Sequence, residues 1–358
     1  MTWQDDSSSG SYDMLLSSLG CGETALAAPA FILAASNGRF QLVQDSKRVL
    51  ELSFDTAERV TLLLPTGSTA ICDACLTLVR QQERQLLAIG WQPGSPYVLQ
   101  LSIRNRSEPL SSDEWLAWLK LAERFKADIG WQPPGDVRRV RLACFDMDST
   151  LIQVEVIDEL AAQAGCATQV RAITELAMAG ELDFQQSFER RLRLLAGMPS
   201  AAVDKVLAQL PLMTGAQALF GWLTAIGVKT CIVSGGFDVF ARQVQQWLGI
   251  DQVFANQLSF ENEQLTGRAT APIVDAQFKA AKLRELAAQF QVPMSQTLAV
   301  GDGANDLPML ASAGTGIAFR AKPFVARSAR IAINYGGLER VPYFLGYCGV
   351  DSDLEIKR

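Results

Sequence analysis

Histidine is absent from all 358 residues. That absence excludes Ser-His-Asp catalysis, phosphohistidine chemistry and every histidine-ligated metal centre at once, so acid, base and nucleophile must come from other side chains. Cationic charge is also short. The 32 Lys and Arg against 38 Asp and Glu leave a formal net charge of −6, which argues against a nucleic-acid backbone or an anionic membrane surface as partner. An anionic ligand must therefore meet a local cationic site. No apolar run reaches the roughly 20 residues of a spanning helix; the longest near the amino end, Ala25 to Ala35, is broken by Pro29. The first twenty residues carry Asp5, Asp6 and Asp13 but no Lys or Arg, unlike a secretory signal, and the expected compartment is the cytoplasm.

Cysteines are few, odd in number and scattered, seven in all, which reads as reduced thiols rather than a disulfide framework. The one C-x-x-C, Cys72 and Cys75 in "TAICDACLTLV", has no second pair and reads as a core helix rather than a zinc or redox site. No cysteine has an arginine six positions later, which removes the cysteine-phosphatase loop.

What is present is enough chain for two domains, with 49% hydrophobic residues. The clearest boundary is "GWQPPGDVRR", 130 to 139, where paired prolines and a glycine follow the amphipathic "DEWLAWLKLAERF". A cut near 135 gives domains of 1–135 and 136–358. In the first, "RVLELSF", "RVTLLLP" and "YVLQLSIR" predict strands, while 68 to 82 and 111 to 127 predict helices, a small α+β domain. The second alternates strand and helix, the pattern of a doubly wound parallel α/β sheet. Its expected strands are "VRLACF", "VKTCIVS", "TLAVG", "GIAF" and "IAIN". Between the first two lies a helical insertion of about 152 to 213, too long for a loop and read as a cap over the sheet edge.

The polar clusters fall at strand ends, where ligands bind in such sheets. "LACFDMDSTLI" places Asp146 and Asp148 after an apolar run. A pair of aspartates is also an ordinary cap or turn, but their repulsion at a strand exit calls for a cation, and Mg²⁺ is the usual one beside phosphate. "CIVSGGF" ends at Ser234, Gly235 and Gly236, whose hydroxyl and backbone amides suit an anion. "LAVGDGANDLPML" supplies Asp302, Asn305 and Asp306; it is not G-x-G-x-x-G, so a dinucleotide site is weakly supported. Lys279 and Lys282 compete as a cation from one helix.

The order D-x-D-S-T, helical insertion, S-G-G, K and G-D-G-x-N-D resembles the haloacid dehalogenase superfamily. Within it, "FDMDSTLIQVEVIDELA", "ITELAMAGELDFQQSFERRL", "VSGGFD", "FANQLSF" and "VGDGANDLPML" are similar to the phosphoserine phosphatase family over about 138 to 345. The resemblance implies a haloacid dehalogenase-like fold and Mg²⁺-dependent hydrolysis of phosphoserine, the last step of serine biosynthesis, through an aspartyl phosphate. It makes Asp146 the nucleophile and Asp148 the acid and base, with Mg²⁺ on Asp146, the Asp148 carbonyl and Asp302, supported by Asp306. Ser234, Gly235 and Lys279 would hold the phosphoryl group, Lys279 being preferred to Lys282 by its distance to "GDGAND". Glu155 would meet the substrate's amino group, Arg191 its carboxylate, with Met178, Phe184 and Asn305 completing the pocket. Extended bacterial members carry an ACT-like regulatory domain before the catalytic one; a homodimer is compatible with that, although no interface is legible. Two alternatives stay open: a phosphotransferase passing the phosphoryl group to another alcohol, and a receiver domain phosphorylated on aspartate.

Overall fold

The computed structural model describes residues 2–4, 31–36, 39–43, 57–65, 69–92, 96–104, 110–133, 140–178 and 181–347. The chain divides into two compact units, Met1–Val137 with Arg330–Tyr335 and Arg138–Ala329 with Gly336–Arg358. The expected strand "RVLELSF" and most of the proline-rich boundary segment, residues 134–139, lie outside the described residues.

The first unit opens with three strands, β1 (Thr2–Gln4), β2 (Phe31–Ser36) and β3 (Arg39–Val43). It continues as β4 (Glu58–Leu64), α1 (Thr69–Gln81), β5 (Gln85–Gln92), β6 (Tyr97–Arg104), α2 (Ser112–Arg124) and β7 (Asp128–Gln132). From β4 onward this is a β-α-β-β-α-β run whose strands lie in the order β5-β6-β4-β7, all antiparallel, the split-βαβ arrangement of ferredoxin-like domains. The helix starts where Ser111 caps it, accepting from the Glu114 amide at 3.3 Å while Glu114 accepts from the Ser111 amide at 2.8 Å. Cys72 and Cys75 are buried on α1, so the C-x-x-C belongs to a core helix face.

"IAIN" forms the strand that the alternation suggests, and its antiparallel pairing is what the alternation does not show. Ile331–Ile333 (β14) belongs to the first unit and pairs antiparallel with β7, Ile331 opposite Gly130 and Ala332 opposite Ile129. The buried Asp128 carboxylate secures it, Oδ1 accepting from the Asn334 and Tyr335 amides at 2.7 Å each. A three-residue strand carries no signal of the partner it will pair with, and its register against β7 is set only in the folded chain.

The second unit is built on β8 (Leu142–Phe145), β9 (Lys229–Phe237), β10 (Gln252–Glu261), β12 (Thr297–Gly301) and β13 (Thr315–Phe319), parallel and ordered β13-β12-β8-β9-β10. β8 and β12 are buried along their whole length, the condition of central strands covered on both faces and the reason they read as unbroken apolar runs. Helices α7 (Ala216–Ala225), α8 (Asp238–Leu248), α9 (Ala276–Gln289), α10 (Leu307–Ser312), α11 (Pro323–Ser328) and α12 (Val341–Phe344) flank or follow them.

The insertion folds as α3 (Val156–Gln163), α4 (Ala167–Met178), α5 (Phe184–Arg193) and α6 (Ser200–Leu207). An antiparallel bridge between Ile152 and Leu212 closes it at the base. The sequence pattern missed β10 and its antiparallel partner β11 (Gln264–Thr270). Their two-residue turn uses Asn262 and Glu263, at φ 51° and 60°, in place of the glycine that marks such turns. This hairpin supports the cap: the Gly197 amide donates to the Leu265 carbonyl and the Leu265 amide to the Met198 carbonyl, both at 2.8 Å. Among the described residues no helix is long and apolar enough to cross a membrane.

Arg84 ties sheet to helix in the first unit. Its fully buried guanidinium reaches Glu58 Oε2 at 2.6 Å and Glu114 Oε2 at 3.0 Å. Burial raises the Glu58 carboxyl above its ordinary range, against the pull of Arg84. Replacing Arg84 by Met strands that carboxylate, and the expected loss is about 3–5 kcal/mol. Urea unfolding followed by tryptophan fluorescence reads it out; an unshifted midpoint would show the pair to be energetically idle.

Candidate active site

Three neighbouring parallel strands end at one edge of the second unit. β8 hands the chain to Asp146, the end of β9 carries Ser234, Gly235 and Gly236, and β12 stops at Gly301 before Asp302. Side chains from loops that diverge in sequence are thereby brought to one place.

Lys279 stands at the centre. It lies on the buried face of α9 with Ala280, Leu283, Leu286 and Ala287, and its ammonium is 2.8 Å from Asp146 Oδ1 and 2.7 Å from Asp306 Oδ1. Desolvation alone would lower its pKa, but the two carboxylates outweigh that and hold it above the ordinary lysine range. Lys282 faces elsewhere, bonded to Glu285 at 2.7 Å and lying over the Phe254 ring.

The carboxylates are packed as tightly as the backbone allows. The Met147 amide donates to Asp146 Oδ1 at 2.8 Å and the Gly303 amide to Asp306 Oδ2 at 3.0 Å. A β-carbon on Gly301 would sit 2.4 Å from Asp306 Cγ, so only glycine lets that carboxylate fold over the strand end. The Thr150 hydroxyl approaches Asp302 Oδ1 at 3.3 Å. Oxygens of Asp146, Asp302 and Asp306 all lie within 4.8 Å of one another. Burial first, then Asp146 and Asp306, push Asp302 up to about 8; burial and Asp146 push Asp306 to about 6. Asp148 is driven well above the carboxylate range by burial, then Glu155, then Asp146. Its Oδ1 is buried and finds no hydrogen-bond partner among the described residues.

The cap contributes a second group. Glu155 begins α3 and accepts from the Ser149 hydroxyl at 2.7 Å, Ser149 being held at φ 54°. Arg191 feels the negative charge of Glu155, Asp158 and Asp148, although burial pulls its pKa down. The Phe184 ring reaches to 3.5 Å of where a β-carbon on Gly235 would lie, and the rings run on through Phe188 to Phe237 at centroid spacings of 6.0 and 6.1 Å. Asn305 folds toward Gly303, its Oδ1 filling the place of a β-carbon there. The side chain of Met178, last residue of α4, lies outside the described residues.

Motif reading singled out no role for Thr150, Ser149 or Asn256. The fully buried Asn256 donates to the Gly235 carbonyl and accepts from the Val274 amide, both at 2.8 Å, which fixes the S-G-G segment. Its signal lay in "FANQLSF", but a polar residue alternating along a strand has no visible partner in sequence.

The haloacid dehalogenase-like hydrolase profile matches residues 143–311. A hydrolase of that family from Salmonella enterica subsp. enterica serovar Typhi superposes with a TM-score of 0.71 at 33% identity, over 83% of this chain and 99% of that one. The chain belongs to the haloacid dehalogenase-like hydrolases. A second structure, a phospho-aspartyl intermediate analogue of phosphoserine phosphatase, is 37% identical with a TM-score of 0.55, over 57% of this chain and 99% of that one. The phosphoserine phosphatase of Streptomyces coelicolor (strain ATCC BAA-471 / A3(2) / M145) is 49% identical over 209 residues, 58% of this chain and 51% of the relative, so the match spans about half of that protein's length.

In this haloacid dehalogenase-like site, Lys279→Met would leave two buried carboxylates facing each other. The expected cost is about 3 kcal/mol or more, read as a lowered thermal midpoint in chelator; a midpoint equal to wild type would mean Asp146 and Asp306 shed their charge without penalty.

Proposed function

We propose that the chain hydrolyses O-phosphoserine to serine and phosphate in two steps through Asp146. In the first, an Asp146 carboxylate oxygen bonds to phosphorus, the bond from phosphorus to the serine oxygen breaks, and Asp148 gives its proton to that oxygen. In the second, water attacks the aspartyl phosphate, Asp148 takes the water proton, and the Asp146 carboxylate is released with inorganic phosphate. Asp148 suits the first task because burial, then Glu155 and Asp146, raise its affinity for a proton. It would do the proton transfer that histidine does in many other hydrolases, a residue type absent from this chain. Ser234, the Gly235 amide and Lys279 would hold the phosphoryl oxygens.

The acidic cluster fits a hard divalent cation. Its donors are all oxygens, crowded within 4.8 Å, and burial followed by the charge of Asp146 raises the pKa of Asp302 and Asp306. We place Mg²⁺ on Asp146, the Asp148 carbonyl and Asp302, with Asp306 behind them; when bound it would offset the charge of carboxylate and phosphate.

One observation favours an amino acid as the leaving group. Arg191 and Glu155, both from the cap, lie within electrostatic reach of each other, and Arg191 also of Asp148, a base and an acid for the carboxylate and ammonium of one zwitterion. The names of the relatives point the same way. For the first unit, the β-α-β-β-α-β order supports an ACT-like regulatory role.

Phosphate release from phosphoserine at saturating Mg²⁺ tests the core of this. Asp146→Asn is expected to lose turnover entirely, because an amide is no anionic nucleophile; activity close to wild type would exclude the covalent route. Arg191→Ala should cost about 2 kcal/mol in kcat/KM on phosphoserine and much less on an aryl phosphate without a carboxylate. Equal losses on both would make Arg191 structural.

A further inference from the structure

We infer that Gly236 is a positioning residue for the reaction, setting both the proton donor and the phosphate-binding hydroxyl. The inference rests on the reading of Asp148 as the acid. A β-carbon at Gly236 would lie 2.7 Å from Asp148 Oδ2, 2.9 Å from Met147 Cε and 3.2 Å from Ser234 Oγ. The Asp148 carboxylate thus occupies the space that any side chain here would need. At the same residue the amide donates to Ser234 Oγ at 3.0 Å. That bond uses an oxygen lone pair and leaves the hydroxyl hydrogen to point at an anion.

The segment has little room to give way. The carbonyl of Gly235 accepts from Asn256 Nδ2 at 2.8 Å, and Asn256 is itself fixed by the Val274 amide. The peptide between Gly235 and Gly236 is therefore tied at its oxygen to Asn256 and at its nitrogen to Ser234. Gly236 is not among the glycines in the left-handed region, so alanine adopts its backbone without strain. The atoms that a methyl group would displace are the far ends of the Asp148 and Met147 side chains. The cost of a side chain consequently falls on the acid's position and not on the fold. Gly235 differs: a β-carbon there meets Phe184 and the Val274 carbonyl at 3.5 Å, an ordinary contact.

An acid out of place matters in proportion to the basicity of the leaving oxygen. A serine alkoxide needs its proton in the first step; a nitrophenolate leaves without one. The test uses the full-length protein with Mg²⁺, measuring single-turnover release of serine from phosphoserine and of nitrophenolate from p-nitrophenyl phosphate. For Gly236→Ala the expected result is a slowing on the order of 10²-fold for phosphoserine and only about a few-fold for the aryl ester, at an unchanged thermal midpoint. Asp148→Asn should show the same split, and the double variant should add no further loss.

Equal slowing on both esters, or a full additional loss in the double variant, overturns the inference. A collapsed thermal midpoint does so too, because the methyl group would then be meeting backbone. If Asp148→Asn shows the split and Gly236→Ala does not, the positioning role fails while the acid stands. If Asp148→Asn shows no split, the acid reading fails and takes the inference with it.

Discussion

A single buried ammonium, that of Lys279, lets three carboxylates share the end of one parallel sheet. Without a cation, Asp146, Asp302 and Asp306 would be like charges taken out of water, and burial followed by the charge of Asp146 raises Asp302 and Asp306 even with Lys279 in place. The lysine's position depends on α9 burying one face against the sheet, and its charge depends on the two carboxylates that outweigh its desolvation. Each partner is tolerable only because the other is present. What repulsion remains suits the proposed binding of a divalent cation and a phosphate together.

Backbone geometry decides how closely these groups approach. Parallel strands in register end at one edge, so the residues after β8 and β12 and those closing β9 are neighbours whatever their distance in sequence. Two glycines make the final approach possible: Gly301 leaves space for Asp306 and Gly236 for Asp148. Asn256 and Thr150 then hold the loops that carry Gly235 and Asp302. The cap adds a charged pair, Glu155 and Arg191, and an aromatic row led by Phe184, on helices whose base is closed by the bridge between Ile152 and Leu212.

The first unit contains none of this chemistry. Its organisation is a β-α-β-β-α-β sheet extended by further strands and completed by a segment, Arg330–Tyr335, that arrives from nearly two hundred residues downstream. Asp128 and Arg84 hold that unit through buried polar contacts rather than through apolar packing alone. Such contacts specify one arrangement sharply because each leaves an unpaired buried group when broken.

By itself the sequence determined the family and the strand ends that carry the candidate site. Apolar runs closing in Asp146-x-Asp148, Ser234-Gly235-Gly236 and Asp302 can be read because strand burial and exit polarity are local properties, and the want of histidine leaves any proton transfer to other side chains. The cap limits were equally local, since amphipathic helices are written in adjacent residues. Tertiary structure alone decided which lysine is buried, that "IAIN" pairs with β7, that a polar hairpin braces the cap, and that Gly236 lies under Asp148. Those facts depend on distances between segments far apart in the chain. A side chain's burial, its charge and the space left beside it are set by what folds against it, and no local pattern contains that information.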